Sequence, residues 1–207
     1  MSPAPSPEKV SARAEAQRVR ILDAARVCFS ERGFHGASIS AIAEVAGMSQ
    51  GLIYRYFTNK AAIIRAITDE QREERREALA GIATCSELVD KLLEKIDAWR
   101  ESGPSGSCEG AFDAALFLEV SAEATRDADI AAVVTAQEPQ IWVDFEDLVR
   151  RSAEAAGKPL EADAVRRRTV VMRCLVDGLI LCYVRDPQQD RDVLHHSLQE
   201  AISALCL

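Results

Sequence analysis

The sequence predicts an all-α protein of about nine helices, and three observations support that prediction. No stretch shows the sustained alternation of apolar and polar residues that indicates a strand. The hairpin-type dipeptide Asp177-Gly178 lies inside a helical pattern, where it does not indicate a turn. Glycine and proline are concentrated between long helical segments, where they end helices. These stops are Gly33, Gly47, residues 102–110, residues 157–159 and residues 186–187.

The N-terminal part is expected to begin with a disordered tail over residues 1–10, which contain three prolines. Gly33 follows the first helix as a C′ glycine. Ser38 and Ser49 are suited to N-cap the second and third helices, because a serine hydroxyl accepts from the free backbone N–H groups there. The first three helices are predicted at residues 11–32, 38–46 and 49–57.

Six further helices are expected in the rest of the chain. Asp127 or Asp129 is suited to open the seventh helix, and Gly157 with Pro159 closes it. Pro139 falls inside that helix, where a proline costs about 3 kcal/mol, so we expect a kink or break just before it. The six helices are predicted at residues 59–82, 86–102, 110–125, 127–156, 161–185 and 189–205.

Length and composition place the chain among globular proteins of one or two domains, with 207 residues, 48% hydrophobic and 28% charged. They argue against a wholly disordered, collagen-like or membrane-spanning chain, because no apolar run approaches the ~18 residues of a membrane helix. The N-terminus has no apolar secretory segment, so we expect a cytoplasmic protein without a membrane partner.

The cysteines and histidines do not predict a metal or cofactor site. Six cysteines lie far apart without a CxxC pair, and three histidines are too few and too scattered for usual zinc spacing. We therefore expect free thiols that act as small buried hydrophobic residues. The motifs GxSxG, GxGxxG, HExxH and the P-loop are all absent from the sequence, so an enzyme is not expected.

The charge is uneven along the chain. The net charge is −8, yet residues 1–60 hold eight Lys or Arg against five Asp or Glu. This N-terminal part therefore carries +3 and the remainder −11. An acidic protein with a basic end can bind an acidic polymer through that end.

Residues 38–57 have the pattern of two short helices joined by a tight turn. Small Ala43 lets the helices approach, Gly47 supplies the turn residue and Met48 fills the corner. Ile53 and Phe57 recur at helical spacing in the second helix and are expected in the core, as are Ile42 and Phe29. An ordinary helical hairpin in a core would show the same spacing, so this pattern alone leaves both interpretations open.

The longer pattern runs from Arg18 to Ile63 and combines the first helix, Gly33-Phe34, the two short helices and Lys60. It resembles the DNA-binding domain of the tetracycline-repressor (TetR) family of bacterial transcriptional regulators. The resemblance implies a three-helix helix-turn-helix domain over residues 11–60. It also implies a larger helical ligand-binding and dimerisation domain over residues 61–207, with which the chain agrees in length and helical pattern.

The resemblance implies which residues contact DNA. Tyr54 and Lys60 match phosphate contacts, and tyrosine and lysine side chains near helix N-termini are good phosphate donors. Arg55 is the residue of the third helix able to make a bidentate contact to guanine. The full predicted set is Ser38, Ser40, Ser49, Gln50, Gly51, Leu52, Tyr54, Arg55, Tyr56 and Lys60.

The chain departs from the family pattern at three positions. Ala37 stands where the family often has threonine, which removes one hydroxyl contact. Leu52 replaces a commoner small or hydroxylated residue, so apolar contact with a thymine methyl is expected there. Tyr56 stands where histidine is also frequent.

The C-terminal part is interpreted as a ligand and dimer domain. A ligand site should be mostly apolar with a few polar groups. The candidates are Trp99, Phe112, Phe117, Glu119, Glu123, Trp142, Phe145, Met172, Arg173 and Asp177. Each bulky side chain taken singly favours core packing, and Arg173 and Asp177 are expected first of all to neutralise each other at i, i+4.

The last two predicted helices carry apolar stripes that suit either a core or a four-helix dimer interface. The predicted interface residues are Leu175, Leu179, Tyr183, Leu194, Leu198 and Ile202. His195 and His196 are expected at an exposed position on the last helix or at the rim of the dimer. A twofold dimer would place two third helices about one DNA turn (~34–36 Å) apart, which implies a palindromic operator.

The sequence therefore favours a homodimeric repressor whose partners are an operator in double-stranded DNA and a small lipophilic or aromatic inducer. We expect the inducer to displace the fourth helix and so change the half-site spacing. The alternatives are an activator or ligand-independent regulator and, in another class, a helical interaction protein that does not bind DNA.

Overall fold

The computed structural model describes residues 7–102 and 114–206, and within these ranges it contains nine α-helices. The predicted all-α class is confirmed for this part of the chain. The helices are α1 Pro7–Gly36, α2 Ile39–Ala46, α3 Gln50–Tyr54, α4 Lys60–Ala80, α5 Cys85–Ser102, α6 Ala114–Glu123, α7 Ala128–Ala155, α8 Ala162–Arg185 and α9 Arg191–Cys206.

Two predictions concern stretches that lie partly or wholly outside the described residues. The expected tail over residues 1–10 is only partly described, and its last four residues belong to α1, which begins at Pro7. Proline is tolerated there because the first helical turn has no use for its missing N–H. Phe112, a predicted ligand residue, lies outside the described residues.

The chain forms two compact units. The first holds the described residues up to Asp69 together with Leu116–Val134, and the second holds the described residues of Glu70–Ala115 and Thr135–Leu207. The first unit thus extends past the predicted boundary at residue 60 and takes in parts of α6 and α7.

The first unit is built around one apolar core in which Ile21, Phe29, Ile42 and Ile53 are buried. The two caps predicted from the sequence are present. Ser38 Oγ accepts from the backbone N–H of Ala41, and Ser49 Oγ accepts from that of Leu52. Because each cap satisfies a free donor at a helix start, the sequence itself sets where α2 and α3 begin.

Two glycines with positive φ shape this unit. Gly47 ends α2 in the left-handed region at φ 63° and ψ 39°, as the turn between the two short helices requires. Gly33 has φ 66° and ψ 173°, which interrupts α1 before its last residues. The helical assignment nevertheless resumes and reaches Gly36, four residues beyond the predicted end of the first helix at residue 32.

Of the expected kink or break before Pro139, the break is wrong, because α7 continues as one helix from Ala128 to Ala155 with Pro139 inside it. Proline removes a single helical hydrogen bond there. The helix buries apolar residues on both sides of the proline, including Val133, Phe145 and Leu148, and this packing offsets the loss.

In the second unit, one arginine caps the end of α4 from α7. The guanidinium of Arg151 donates to the carbonyl oxygens of Leu79 at 2.9 Å, Ile82 at 3.0 Å and Ala80 at 3.3 Å. These carbonyls stand at a helix C-terminus, where no intrahelical donor remains for them. Arg151 therefore fixes how α4 ends against α7.

The second unit also pairs α5 with α9. His195 lies 3.0 Å from the Asp90 carboxylate, and Ser86 donates to Gln199 at 2.7 Å. His195 is thus half-buried and paired rather than exposed, whereas its neighbour His196 is exposed as predicted.

The cysteines only partly follow the prediction. None of the four described cysteines forms a disulfide, and Cys28 and Cys85 are buried whereas Cys174 and Cys182 are exposed. The expectation that all are buried is therefore wrong for the two on α8. Within residues 7–102 and 114–206, there is no helix that could cross a membrane and no cluster of three metal-ligating side chains.

Candidate nucleic-acid interface

Helix α3 and its two cap residues carry six of the ten predicted DNA contacts. Gln50, Gly51, Tyr54 and Arg55 are exposed, while Ile53 between them is fully buried. Burial of Ile53 fixes the rotation of the helix, because side chains three or four positions apart share a helix face. The hydrogen-bonding side chains are consequently left uncovered.

Serines at the starts of α2 and α3 flank that surface. Ser38, Ser40 and Ser49 are exposed, and Gln50 Nε2 donates to Ser40 Oγ at 3.1 Å. Ser38 and Ser49 use their oxygens as cap acceptors, so their hydroxyl hydrogens can still be donated to a phosphate. The Ser40–Gln50 bond links the two helices across the tight turn.

A contact that the sequence analysis missed fixes α1 against α2. Arg20 Nη2 donates to the carbonyl oxygen of Ala46 at 2.7 Å, at the C-terminus of α2. A cation is favourable there because the last carbonyls of a helix carry partial negative charge. Arginine is common on helix surfaces, so the sequence offered no signal for this role.

Lys60 is held inside the first unit rather than projecting freely. Its ammonium donates to the Phe34 carbonyl oxygen at 2.7 Å and lies 4.2 Å from the centre of the Phe34 ring. Partial burial lowers the pKa of Lys60, against the opposing effect of Glu123 and Asp127. The predicted phosphate contact would have to use the remaining ammonium hydrogens.

Two predicted DNA contacts and one position that departs from the family pattern are less accessible than expected. Leu52 and Tyr56 are half-buried, and Tyr56 packs against the apolar core of the first unit. Ala37 is fully buried, so the methyl group that replaces the family's threonine is part of the core. The predicted core residues Ile42, Ile53, Phe29 and Phe57 are indeed buried.

Glu119 and Glu123, predicted as ligand residues, lie in the first unit. Glu119 Oε2 accepts from the backbone N–H of Phe34 at 3.3 Å. Glu123 is buried, and its Oε2 lies 3.3 Å from His35 Nε2 and 3.2 Å from Arg126. Both carboxylates therefore hold the end of α1, and Phe117 also belongs to this unit.

Of the bulky ligand candidates of the second unit, Trp99, Phe145 and Met172 are packed in its interior, whereas Trp142 is half-buried. Trp99 and Tyr183 have ring centres 5.4 Å apart, and both are buried. Phe145 and Met172 are buried as well. Since each of these side chains is covered by protein, core packing accounts for them in this structure.

The predicted pairing of Arg173 with Asp177 is corrected by the structure. Arg173 makes a bidentate contact with Glu138 at 2.6 and 3.1 Å and lies over the Trp142 ring at 4.7 Å. A flat guanidinium satisfies two carboxylate oxygens at once, which the i, i+4 partner on the same helix does not offer here. Asp177 is exposed.

The predicted dimer residues divide into two groups. Leu179, Tyr183 and Ile202 are buried in the chain's own core, so we remove them from the candidate interface. Leu175, Leu194 and Leu198 are half-buried. An apolar face on α8 that the prediction did not name is exposed instead, and it comprises Val170, Val171, Cys174, Leu181, Cys182 and Val184.

Two capped short helices, a left-handed glycine between them and an exposed polar face on the second define a helix-turn-helix protein. Residues 21–67 match the family described as bacterial regulatory proteins, tetR family. The match spans α2, α3 and the adjoining parts of α1 and α4, so this part of the chain is similar to that family.

Two relatives and a solved structure are also similar to the chain. The transcriptional regulator UidR of Escherichia coli is 35% identical over 131 residues, which are 61% of each chain. The transcriptional repressor Rv1474c of Mycobacterium tuberculosis is 27% identical over 86% of this chain and 89% of its own. FadR of Bacillus subtilis, solved with stearoyl-CoA, has a TM-score of 0.66 at 22% identity, covering 89% of this chain and 96% of its own.

Proposed function

We propose that the chain is a homodimeric transcriptional repressor that binds a palindromic DNA operator and releases it when a small molecule binds the second unit. The exposed polar face of α3 is the observation that carries this proposal. Tyr54 and Arg55 there are suited to phosphate and base contacts, respectively.

The homodimer is supported by the uncovered face of α8. Val170, Val171, Leu181 and Val184 are exposed on that one helix together with two cysteines. Several apolar side chains exposed side by side on one helix are typical of an interaction site rather than of a free surface. A second copy of the chain, related by a twofold axis, would cover this face and set the spacing of two α3 helices.

Release by a ligand is supported by the course of α4. This helix is continuous from Lys60 to Ala80, and the two units divide within it, after Asp69. A ligand that binds the second unit and displaces α4 would act on the first unit through the same helix. Such a ligand must bind the form that does not bind DNA more tightly than the form that does.

The test begins with selection of duplexes from a random DNA pool, followed by fluorescence anisotropy at several salt concentrations. We expect a palindromic consensus and a logarithmic affinity that falls by ~0.9 per phosphate contact per decade of salt. Arg55→Ala should weaken binding by about 1–3 kcal/mol and relax the preference at one base pair. Arg167→Ala, an exposed arginine of the second unit, is the matched control.

Two alternatives make different predictions. An activator or ligand-independent regulator would bind the same duplexes, and a transcription assay on the selected operator distinguishes it from a repressor. A helical interaction protein would select no consensus and would show no salt-dependent DNA binding, and that result would overturn the proposal.

A further inference from the structure

Four ionisable side chains interact electrostatically in the second unit, and we call them the charge cluster: Arg75 of α4, Glu138 and Asp144 of α7, and Arg173 of α8. Arg173 and Glu138 satisfy each other through two hydrogen bonds. Arg75 is not satisfied. Its Nε and Nη2 are buried and have no hydrogen-bond partner among the described residues.

The neighbouring charges do not supply the hydrogen-bond partners that Arg75 lacks. Burial lowers the pKa of Arg75. The negative charges of Asp144 and Glu138 oppose that effect, whereas the positive charges of Arg173 and Arg72 add to it. A buried charged donor without a partner costs free energy until an acceptor reaches it. An arginine remains protonated in proteins, so an incoming anion is the natural way to satisfy it.

Asp144 has an acceptor oxygen that lacks a hydrogen-bond partner among the described residues. Its Oδ1 accepts from Gln140 Nε2 at 2.9 Å, whereas its Oδ2 is buried and has no partner in the described part of the chain. An ionised carboxylate only accepts hydrogen bonds. The cluster therefore has two donor nitrogens on one side chain and one acceptor oxygen on another that no protein group uses.

Asp144 is the member of the charge cluster that lines a groove. This groove of about 340 Å³ in the second unit is also lined by Gln140, Leu79 and Val143. The volume is at the lower end of the range for small-molecule sites. Arg76 and Arg151 line it as well, so the groove offers apolar, polar and charged side chains to a compact organic molecule.

We propose that the effector of this protein is a small organic carboxylate bearing a hydroxyl group. The carboxylate is bound by the Arg75 guanidinium, and the hydroxyl donates to Asp144. The inference rests on the proposed function, because it names the chemical class of the ligand that binds the second unit. A flat guanidinium and a carboxylate fit each other in a bidentate geometry, which gives this pair its selectivity.

The probes are three compounds of one skeleton: mandelate has the carboxylate and a hydroxyl, phenylacetate has the carboxylate alone, and mandelamide has the hydroxyl without the charge. The melting temperature of the intact protein is measured with each probe in millimolar excess. Mandelate should raise it by about 3–5 °C at ten times its Kd, phenylacetate by less, and mandelamide should leave it unchanged.

Substitutions in the charge cluster test whether the rise in melting temperature comes from binding there. Arg75→Met should abolish the response to both carboxylates, and Arg75→Lys should weaken it about tenfold or more because the fork is lost. Asp144→Leu should keep a response to phenylacetate and lose the advantage of mandelate. Arg150→Met removes an exposed arginine of α7 that pairs with Asp147 and should respond like the parent protein. Circular dichroism of each variant shows whether it is folded.

The inference is overturned if neither carboxylate raises the melting temperature, or if mandelamide acts as strongly as mandelate. It is also overturned if folded Arg75→Lys and Arg150→Met proteins respond equally. DNA binding is measured separately on the selected duplexes. If the protein binds DNA but no carboxylate, this inference alone is wrong. If it binds carboxylates but no DNA, the proposed function is wrong instead.

Discussion

The Lys60 ammonium donates a hydrogen bond to the carbonyl oxygen of Phe34 at 2.7 Å, and its nitrogen lies 4.2 Å from the centre of the Phe34 ring. Residue 34 follows the glycine that interrupts α1, and residue 60 begins α4. The contact therefore ties the end of one helix to the start of another. A lysine predicted from the sequence to bind phosphate has an internal partner as well.

Lys60→Met should affect both stability and DNA binding. A hydrogen bond to a charged group contributes about 1.5–3 kcal/mol, and we expect a loss of about 1–2 kcal/mol because Lys60 is half-buried. If Lys60 also contacts a phosphate, the salt slope of DNA binding should decrease by ~0.9. Urea unfolding and anisotropy titrations measure the two effects.

Arg65→Met is the control for that substitution, because Arg65 is exposed on the same helix. It should change the free energy of unfolding by no more than about 0.5 kcal/mol. A Lys60→Met protein as stable as the control would show that the contact with Phe34 contributes nothing.

Gly33→Ala should destabilise the first unit by about 1–3 kcal/mol. Gly33 has φ +66°, and an added Cβ would lie 3.2 Å from Glu119 Oε2. Gly51→Ala is the contrasting variant, since a Cβ there meets nothing within 4 Å. It should leave stability unchanged or raise it by about 0.5–1 kcal/mol, while the added methyl on the exposed face of α3 weakens DNA binding. Equal stability of the two variants would contradict this account of Gly33.

Arg151→Met should destabilise the second unit by about 2–3 kcal/mol, because three carbonyl oxygens at the end of α4 lose a charged donor. Arg150→Met should cost less than about 0.5 kcal/mol, since that arginine is exposed and pairs only with Asp147 in the described structure. Hydrogen exchange at the amides near residues 79–82 would show the loosening directly. Similar losses from both substitutions would argue against a capping role for Arg151.

Val171→Glu and Leu181→Glu should convert the protein to a monomer if the exposed face of α8 joins two copies. Sedimentation velocity at micromolar protein measures the change, and circular dichroism should remain that of the parent. Val143→Glu introduces the same charge at an exposed valine of α7 and should leave the association state unchanged. If both α8 variants remain dimeric, the exposed face of α8 is not the dimer interface.

Mild oxidation offers an independent check of the same face. Cys174 and Cys182 are exposed on it, whereas Cys28 and Cys85 are buried. In a background with Cys108 and Cys206 replaced by serine, we expect a dimer crosslinked through α8 on a non-reducing gel, and Cys174→Ser with Cys182→Ser should remove it. A crosslink that persists without these two cysteines would place the contact elsewhere.

The sequence by itself determined the local structure of the candidate DNA-binding surface. Ser38, Ser49 and Gly47 act through their own backbone or the next turn, so their effects can be predicted without the fold. Burial of Ile53 follows from helical spacing and leaves Tyr54 and Arg55 exposed. The family pattern then assigned contacts to these positions.

Only the tertiary structure decided the partners of the charged residues and the fate of the apolar ones. Arg173 pairs with Glu138, 35 positions away, rather than with the neighbour that helical spacing suggested, and Glu119 holds the end of α1. An apolar stripe also looks the same whether it faces the core or a second chain, so the sequence did not distinguish the buried Tyr183 from the exposed Leu181. Periodicity specifies which side chains share a helix face, and the packing of one helix against another specifies what that face meets.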